Sequence, residues 1–411
     1  MNDEPMSDGG ATPRAPLAGI RVLEVGVFMA APFATMQLAD LGAEVYKIEN
    51  PEGGEPVRST GPFVEGHSSP YLRLNRSKRS LALDLKSDEG RTAFLRLAAE
   101  CDVVVENLRP GAMRRLGLGY DEVRAVSPGI VYASASGFGQ DGPLADRPGL
   151  DIMAQARGGL MSITGTADGE PAKIGVPVCD LVCGLYTALA VTAALRERDT
   201  SGVGQYVDVS LLESGVSLAV WEAGRYFATG EVGGPLGSAH QSQAPYQAFR
   251  TADGWATLGA ITPNTWSGLC GVLGLERIEH DERFVDSSSR HARREELALL
   301  VEEQTTRFAT DALVAALEGA GVPCAPIADY EQVFTDEHLA AREFFWDADH
   351  PVVGPVRQVG SPMRFSRTPA QRAGAGPVLG ADTRAALEVA GYGASEIDAL
   401  VEAGVVREAA S

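Results

Sequence analysis

The sequence lacks the features typical of disulfide-stabilised and metal-binding proteins. Its five cysteines are odd in number and contain no Cys-x-x-Cys pair. Such usage is typical of reduced thiols in a reducing compartment, so we expect a cytoplasmic protein. The six histidines are scattered without the spacing of metal ligands, and no metal site is expected.

Membrane and nucleic-acid functions are also disfavoured. No window approaches the roughly 18 uninterrupted apolar residues of a membrane helix, and the first residues lack the basic and apolar regions of a signal peptide. We expect residues 1–15 to form a disordered tail. The formal net charge of −20 argues against a broad nucleic-acid-binding surface. An anionic ligand would need a local basic cluster.

The N-terminal half of the chain alternates strand-like and helix-like segments. Strands are expected at 20–25, 45–49, 80–85, 102–107, 130–136 and from Tyr206. Helical patterns cover 32–41, 87–100, 111–116 and 181–198. This alternation predicts an α/β domain with a doubly wound parallel sheet. Ligands of such sheets bind beyond the carboxyl ends of the strands, where the turns 26–31, 106–110 and 137–142 lie.

The pattern changes in the second half. Residues 246–260 predict a hairpin that turns at Asp253 and Gly254, and 292–321 predict two helices, together a smaller α+β domain. The predicted boundaries are 16–225 for the first part of a large domain, 226–325 for the small domain, and 326–411 for a linker and a C-terminal return to the large domain.

Asp180 is the acid that stands out, because apolar residues flank it at 176–179 and 181–182. Desolvating a carboxylate is costly, so this one needs a partner or a function. Asp180 also begins a helix, where a lowered pKa would keep a nucleophilic carboxylate ionised. Cys179 and Cys183 are interpreted as small core residues rather than reactive thiols.

Two turns precede this acid. Residues 137–142, Gly-Phe-Gly-Gln-Asp-Gly, are not a dinucleotide-binding fingerprint, and two interpretations stay open: a backbone that approaches a ligand, or a plain loop. Asp151 is expected to cap the helix that begins near Ile152. The basic stretch 73–79 and the arginines at 109, 114 and 115 fit either a phosphate site or a solvated loop face.

In order and spacing, these segments resemble the family III coenzyme A transferases, the CaiB/BaiF family. The group includes formyl-CoA transferase, carnitine CoA-transferase and α-methylacyl-CoA racemase. The resemblance runs from LAGIRVLEVG through NRSKRSLALDLK, VVVENLRPGAMRRLGLGY, SASGFGQDGP and RPGLDIMAQARGGLMSITG to VPCAPI and VLGADT. It implies a Rossmann-like large domain, a smaller α+β domain and an interlocked homodimer.

The resemblance also implies site residues. Asp180 falls on the family's catalytic aspartate, which carries coenzyme A (CoA) as an aspartyl thioester between two carboxylic acids; CoA is then a co-substrate, and no permanently bound cofactor is expected. The implied supporting residues are Asp151, Gly137 and Gly139. The implied CoA-binding residues are Val27, Phe28, Met29, Ala30, Leu72, Arg73, Arg76, Lys78, Arg79, Asn107, Leu108 and Arg115. Candidates for the substrate pocket are Tyr226, His240, Gln241 and Tyr246.

One departure from the family concerns phosphate binding. Formyl-CoA transferase has an arginine where this chain has Asn50, so we expect the basic stretch 73–79 to compensate. Enzymes of this family commonly use succinyl-CoA or another short acyl-CoA as the donor. No residue of this chain defines the acyl donor or the acceptor acid.

Two alternatives to CoA transfer are less consistent with the sequence. The racemase branch moves a proton and has a histidine followed by an aspartate where this chain has Leu150 and Asp151. Leucine cannot move a proton, so transfer is favoured over racemisation. The presence of Asp180 argues against a CoA-binding protein without catalysis.

Overall fold

The computed structural model describes residues 14–409, which form two compact units. The first combines the described parts of Met1–Leu160, Ile174–Val220 and Ala340–Ser411. The second consists of Met161–Lys173 and Trp221–Leu339. The units therefore divide at residues 221 and 340 rather than at 226 and 326, and the short segment 161–173 belongs with the second. Most of the predicted tail 1–15 lies outside the described residues.

The first unit is built on a seven-stranded sheet in the order β14-β5-β2-β1-β6-β7-β8. Six strands are parallel, and β14 pairs antiparallel with β5. This confirms a mixed α/β fold with a large parallel sheet. The strands of the chain are β1 Arg21–Val25, β2 Glu44–Glu49, β3 Phe63–Val64, β4 His67–Ser68, β5 Lys78–Leu83, β6 Val103–Glu106, β7 Val131–Ser136, β8 Tyr206–Ser210, β9 Tyr246–Arg250, β10 Trp255–Gly259, β11 Cys324–Pro326, β12 Phe345–His350, β13 Gly354–Val359 and β14 Val406–Arg407.

Helices cover both faces of this sheet and make up much of the second unit. They are α1 Ala30–Asp40, α2 Ser69–Leu74, α3 Asp88–Ala99, α4 Ala112–Arg115, α5 Tyr120–Val126, α6 Asp151–Arg157, α7 Leu160–Ile163, α8 Val178–Ser201, α9 Leu211–Ser217, α10 Val220–Thr229, α11 Pro263–Leu273, α12 Glu276–Glu279, α13 Ser287–Ala292, α14 Arg294–Thr305, α15 Thr310–Gly319, α16 Tyr330–Phe334, α17 Glu337–Ala341, α18 Thr383–Val389 and α19 Ala394–Glu402, with a 3₁₀ turn at Pro56–Ser59.

The central strands are buried on both faces, which explains their continuous β-branched sequences. On β6, Val103 and Val105 belong to the apolar cluster that packs against α1 and α8. Val104, between them, belongs to the opposite cluster with α3, α18 and α19. The C-terminal part of the chain contacts this sheet: the backbone N–H of Ser80 on β5 donates to the carboxylate of Asp382, just before α18 (2.9 Å).

Helix α8 corrects the expectation that no segment approaches membrane length. By length and composition alone it is the one helix in residues 14–409 long and apolar enough to cross a membrane. Ala188, Val191 and Leu195 on one side of it belong to the apolar cluster under the parallel sheet. The core helix of a soluble protein passes the same test.

The second unit has a three-stranded antiparallel sheet, β11-β10-β9. Strands β9 and β10 form the predicted hairpin, and α14 and α15 are the two predicted helices, which pack with α11 around an apolar core.

Candidate functional site

Loops that follow β1, β6 and β7 meet the first turn of α8 and enclose a cavity of about 180 Å³, here called the Asp180 cavity. Its position at the carboxyl ends of the strands is the one expected for a ligand site in a parallel sheet. It is lined by Val27, Phe28, Met29, Ala30, Asn107, Leu108, Arg109, Pro110, Ala135, Ser136, Gly137, Arg147, Pro148, Gly149, Leu150, Asp180 and Leu211. Eight of the site residues implied by the family resemblance therefore lie around one space.

Asp151 holds the N-terminus of the helix that carries Asp180. Its Oδ1 atom accepts the backbone N–H of Cys179 (2.8 Å) and of Asp180 (3.4 Å), and its Oδ2 atom accepts the side-chain amide of Gln155 (2.6 Å). The prediction that Asp151 caps its own helix is therefore wrong. Asp151 is the first residue of α6, and its carboxylate supplies acceptors to the exposed N–H groups of α8 instead.

Asp180 has an unusually high proton affinity. Burial, followed by the charge of Asp151, raises the pKa of Asp180 from 3.8 to about 7. The expectation of a lowered pKa at the helix N-terminus is wrong here, because burial and a neighbouring carboxylate outweigh the helix dipole. Close to neutral pH, the side chain is thus present both as a carboxylate and as an acid.

The neighbouring thiols are structural. Cys179 and Cys183 are fully buried in an apolar cluster with Ala30 and Leu211. Burial raises the pKa of the Cys183 thiol to about 12, far from the value of a reactive thiolate. The interpretation of both cysteines as core residues is confirmed.

The two glycine turns touch each other beside Asp180. A Cβ atom added to Gly137 would lie 2.7 Å from the Cα atom of Gly149, and the converse substitution would clash equally. Gly139 has φ +92°, and its N–H donates to the hydroxyl of Ser136 (3.0 Å). The glycines at 137 and 149 therefore allow a close backbone approach, which favours the ligand-facing interpretation of this turn.

The loop after β1, residues 26–29, is here called the neck loop, and it is fixed by side chains from other elements. The amide of Asn107 both accepts from the N–H of Val27 and donates to its carbonyl (2.8 Å each). Phe28 has φ +56°, a left-handed conformation that strains a bulky residue. Such strain persists where the surroundings impose it, commonly at functional sites.

A larger cavity of about 570 Å³ lies on the other side of the neck loop, here called the Lys86 cavity. It shares Val27 and Leu108 with the Asp180 cavity, so the two cavities adjoin at these residues. It is lined by Val25, Gly26, Val27, Ile48, Glu49, Asn50, Pro51, Glu52, Gly54, Glu55, Pro56, Leu83, Asp84, Leu85, Lys86, Leu108, Leu116 and Gly404. Lys86 is the single basic residue among these.

The basic stretch 73–79 is placed elsewhere, which corrects its predicted role. Arg76 is buried and forms a two-pronged ion pair with Asp40 (3.0 and 2.7 Å). The Nζ atom of Lys78 is fully buried, 2.8 Å from Glu24. Both charges are neutralised inside the protein, so neither side chain is presented to a phosphate.

The remaining predicted members of that stretch are also away from the cavities. Leu72 is 1% exposed and belongs to an apolar cluster with Val356. Arg73 is partly buried and donates to Ser69, whereas Arg79 is exposed and pairs with Glu44 (2.9 Å). Among residues 14–409, no member of this group lines either cavity.

Sequence reasoning missed Lys86. A signal was available: Lys86 comes three residues after the end of β5, at the sheet edge where ligands bind. Arg115, which was predicted, is exposed on α4 one residue before Leu116 of the Lys86 cavity.

The predicted substrate residues lie in the second unit. The rings of His240 and Tyr246 stack with centroids 4.9 Å apart, and the carbonyl of Gln241 accepts from Arg225 (3.3 Å). Tyr226 is exposed on α10. Their role in substrate binding stays a prediction.

The described residues contain no group of three or more His, Cys, Asp or Glu side chains that could hold a metal ion. What they do contain is a parallel α/β sheet whose carboxyl edge carries two adjoining cavities, the smaller of which is lined by one carboxylate of raised pKa. These features are typical of an α/β enzyme that binds its ligand at the carboxyl edge of the sheet.

The particular family follows from comparison with known proteins. The chain matches the sequence model of CoA-transferase family III over residues 17–383. It is 37% identical to succinyl-CoA:glutarate CoA-transferase of Mus musculus over 395 residues, 96% of this chain and 91% of that protein. It is also 37% identical to succinyl-CoA:mesaconate CoA-transferase of Haloarcula hispanica over 389 residues, 92% of this chain and 97% of that protein.

A solved structure agrees with these sequence matches. The crystal structure of a CAIB/BAIF family protein from Brucella suis superimposes with a TM-score of 0.82 and 37% identity, covering 90% of this chain and 98% of that one. The chain therefore belongs to the family III CoA-transferases. It is a CoA-transferase, with CoA and acyl-CoA as its co-substrates.

Proposed function

We propose that Asp180 carries CoA between two carboxylic acids as a covalent aspartyl thioester. The Asp180 carboxylate attacks the carbonyl carbon of the donor acyl-CoA, the C–S bond breaks, and a mixed anhydride and CoA thiolate form. The thiolate then attacks the aspartyl carbonyl, which releases the donor acid and leaves aspartyl-CoA. The acceptor carboxylate reverses both steps and departs as its CoA ester, so the thioester bond energy is retained.

The observation that supports this role is the environment of Asp180. It is the acid that lines the Asp180 cavity, and its raised pKa gives the ionised form greater nucleophilicity than an exposed aspartate has. The small volume of the cavity, about 180 Å³, leaves little room for bulk water, which would hydrolyse the intermediates.

CoA is proposed to lie along the path between the two cavities. Its thiol end would reach Asp180, its pantetheine arm would cross the neck at Val27 and Leu108, and its nucleotide would occupy the Lys86 cavity. Lys86, with the exposed Arg115 nearby, would pair with the phosphates. Glu49, Glu52 and Asp84 line the same cavity, so a phosphate depends strongly on these cations.

The proposed substrates are succinyl-CoA as donor and a dicarboxylic acid as acceptor. The names of the similar mouse and Haloarcula enzymes support this assignment. Arg109 and Arg147, both exposed at the Asp180 cavity, are suited to pair with the second carboxylate of a dicarboxylic acid.

The protein is further proposed to act as an interlocked homodimer. In the first unit, Leu185 and Leu189 of α8 are 50% and 64% exposed. In the second unit, no residue of α10 is buried, and its Phe227 is 84% exposed. Exposed apolar side chains of this size mark protein interfaces. Sedimentation analysis that finds only a monomer at working concentrations would contradict this assignment.

Trapping the intermediate tests the mechanism. The enzyme is incubated with succinyl-CoA, treated with hydroxylamine or borohydride, and digested for mass spectrometry. We expect modification of Asp180 alone, and no modification in the Asp180→Asn variant, which should still bind CoA. Modification at another residue, or retained turnover in that variant, would exclude Asp180 as the nucleophile.

A further inference from the structure

A buried network of charges lies directly beneath the neck loop. Glu24 and Lys47 are each 0% exposed, and Glu55 is 4% exposed. The Nζ atom of Lys47 contacts Glu24 at 2.6 Å and Glu55 at 2.9 Å. Burial alone would raise the pKa of Glu24, but Lys47 and Lys78 outweigh it and lower that pKa to about 2. Burial raises the pKa of Glu55 above its usual value, but both of its carboxyl oxygens face only donors, the N–H of Phe28 on one side and Lys47 with the amide of Asn75 on the other.

This network forms hydrogen bonds to the backbone on both sides of Val27. The Nζ atom of Lys47 donates to the carbonyl of Gly26 (2.9 Å), and the Oε2 atom of Glu55 accepts the N–H of Phe28 (3.0 Å). Asn107 binds Val27 itself. Three consecutive residues are thus held by side chains from other elements, although Phe28 adopts a conformation that L residues rarely take.

We infer that Glu55 is a positioning residue for coenzyme binding: it holds Phe28 in its left-handed conformation and thereby sets the neck between the Asp180 and Lys86 cavities. The inference rests on the proposed placement of CoA along this path. Glu55 comes from the segment just before the 3₁₀ turn Pro56–Ser59. Because Val27 lines both cavities, a change in the neck loop alters the passage for the pantetheine arm.

A carboxylate is needed at this position because both of its oxygens accept. Oε2 takes the Phe28 N–H, while Oε1 faces Lys47 and the side-chain amide of Asn75 (3.2 Å). A glutamine has one acceptor oxygen. In Glu55→Gln that oxygen is expected to stay with the buried cation, whose desolvation is the greater cost. The amide nitrogen of the glutamine then faces the N–H of Phe28, and two donors cannot form a hydrogen bond. The neck loop therefore loses the contact that holds Phe28.

The test measures CoA binding by titration calorimetry together with steady-state kinetics. Glu55→Gln should raise the Kd of CoA and the KM of the acyl-CoA donor roughly tenfold, with kcat at saturating donor reduced less than either. Asp40→Asn is the matched control, since it breaks another buried ion pair of the same unit, remote from the neck loop. It should lower thermal stability to a similar degree and leave the Kd unchanged.

A double-mutant cycle separates positioning from general damage. Glycine takes φ +56° without strain, so in a Phe28→Gly background the Glu55→Gln change should weaken CoA binding by only about two- to threefold. An equal loss in both backgrounds, or an equal loss in Asp40→Asn, would overturn the inference. The Lys86→Ala variant tests the proposed placement of CoA itself. If its CoA affinity equals that of the wild type, the proposed path is refuted. If Lys86→Ala weakens CoA binding but Glu55→Gln does not, only the role of Glu55 is refuted.

Discussion

Replacing Asp180 with asparagine is expected to abolish transfer and also to stabilise the folded protein above neutral pH. Folding raises the pKa of Asp180 from 3.8 to about 7. An acid whose pKa is raised by folding keeps its proton up to a higher pH in the folded state than in the unfolded state. The folded protein therefore loses stability as the pH rises between these two values, and the loss is complete above the higher one.

The magnitude follows from the two pKa values. They differ by about 3.2, which at 1.36 kcal/mol per pKa unit is a maximum of about 4 kcal/mol. Asparagine carries no charge at any pH and escapes this loss, but its amide is still a polar group in a partly buried position. We therefore expect a gain of about 1–3 kcal/mol above neutral pH and a small effect near pH 4.

Thermal unfolding followed by calorimetry provides the assay. The Tm of Asp180→Asn relative to the wild type should rise by a few degrees between about pH 4.5 and about pH 8. Asp311→Asn is a matched control, because Asp311 is an exposed acid in the first turn of α15; removing its charge from a helix N-terminus should lower the Tm slightly at both pH values. A Tm difference for Asp180→Asn that does not change with pH would refute the reasoning.

Three further predictions concern catalysis and binding. The acid limb of the kcat/KM profile against pH should have its midpoint at about pH 7, since that profile reports the pKa values of the free enzyme. Asp151→Asn should lower this midpoint by removing a neighbouring negative charge. A midpoint near pH 4 in the wild type would exclude Asp180 as the titrating nucleophile. Gly184→Val should cost about 1–3 kcal/mol of stability by calorimetry and reduce kcat, because a Cβ at Gly184 would lie 2.8 Å from the carbonyl of Ala30 and displace α8 from the start of α1. Gly271→Val, in open space on α11, is the control. Lys86→Ala should raise the Kd of CoA roughly tenfold and weaken its salt dependence, whereas an unchanged salt dependence would show that Lys86 holds no phosphate.

The strands of the parallel sheet could be predicted to within one or two residues. The expected segment 130–136, for example, is β7 at Val131–Ser136. Such runs are buried on both faces, so their composition signals a strand without any information from the rest of the fold. Strand β14 could not be predicted, because it is two residues long and pairs with β5 more than 300 residues away.

The site was predictable in part. Asp180, Asn107 and the neck loop followed from the family resemblance, and the structure brings them together. Lys78 was predicted at the coenzyme site and Lys86 was not, because composition does not show which lysine points inward. Lys78 begins β5 and extends beneath α1 to the carbonyl of Pro32 (2.8 Å), while Lys86 follows the end of β5 and reaches the ligand edge.

The contact between Gly137 and Gly149 has a consequence for redesign of the acceptor range. Where two main chains touch, the wall of the site consists of backbone atoms. Substitution of side chains can neither enlarge nor reduce the site at that wall. Variation among acceptor acids must therefore be accommodated by side chains on the other walls, of which Leu150 and Arg147 are exposed at the Asp180 cavity. A library aimed at bulkier acids should vary those two positions and leave the paired glycines untouched.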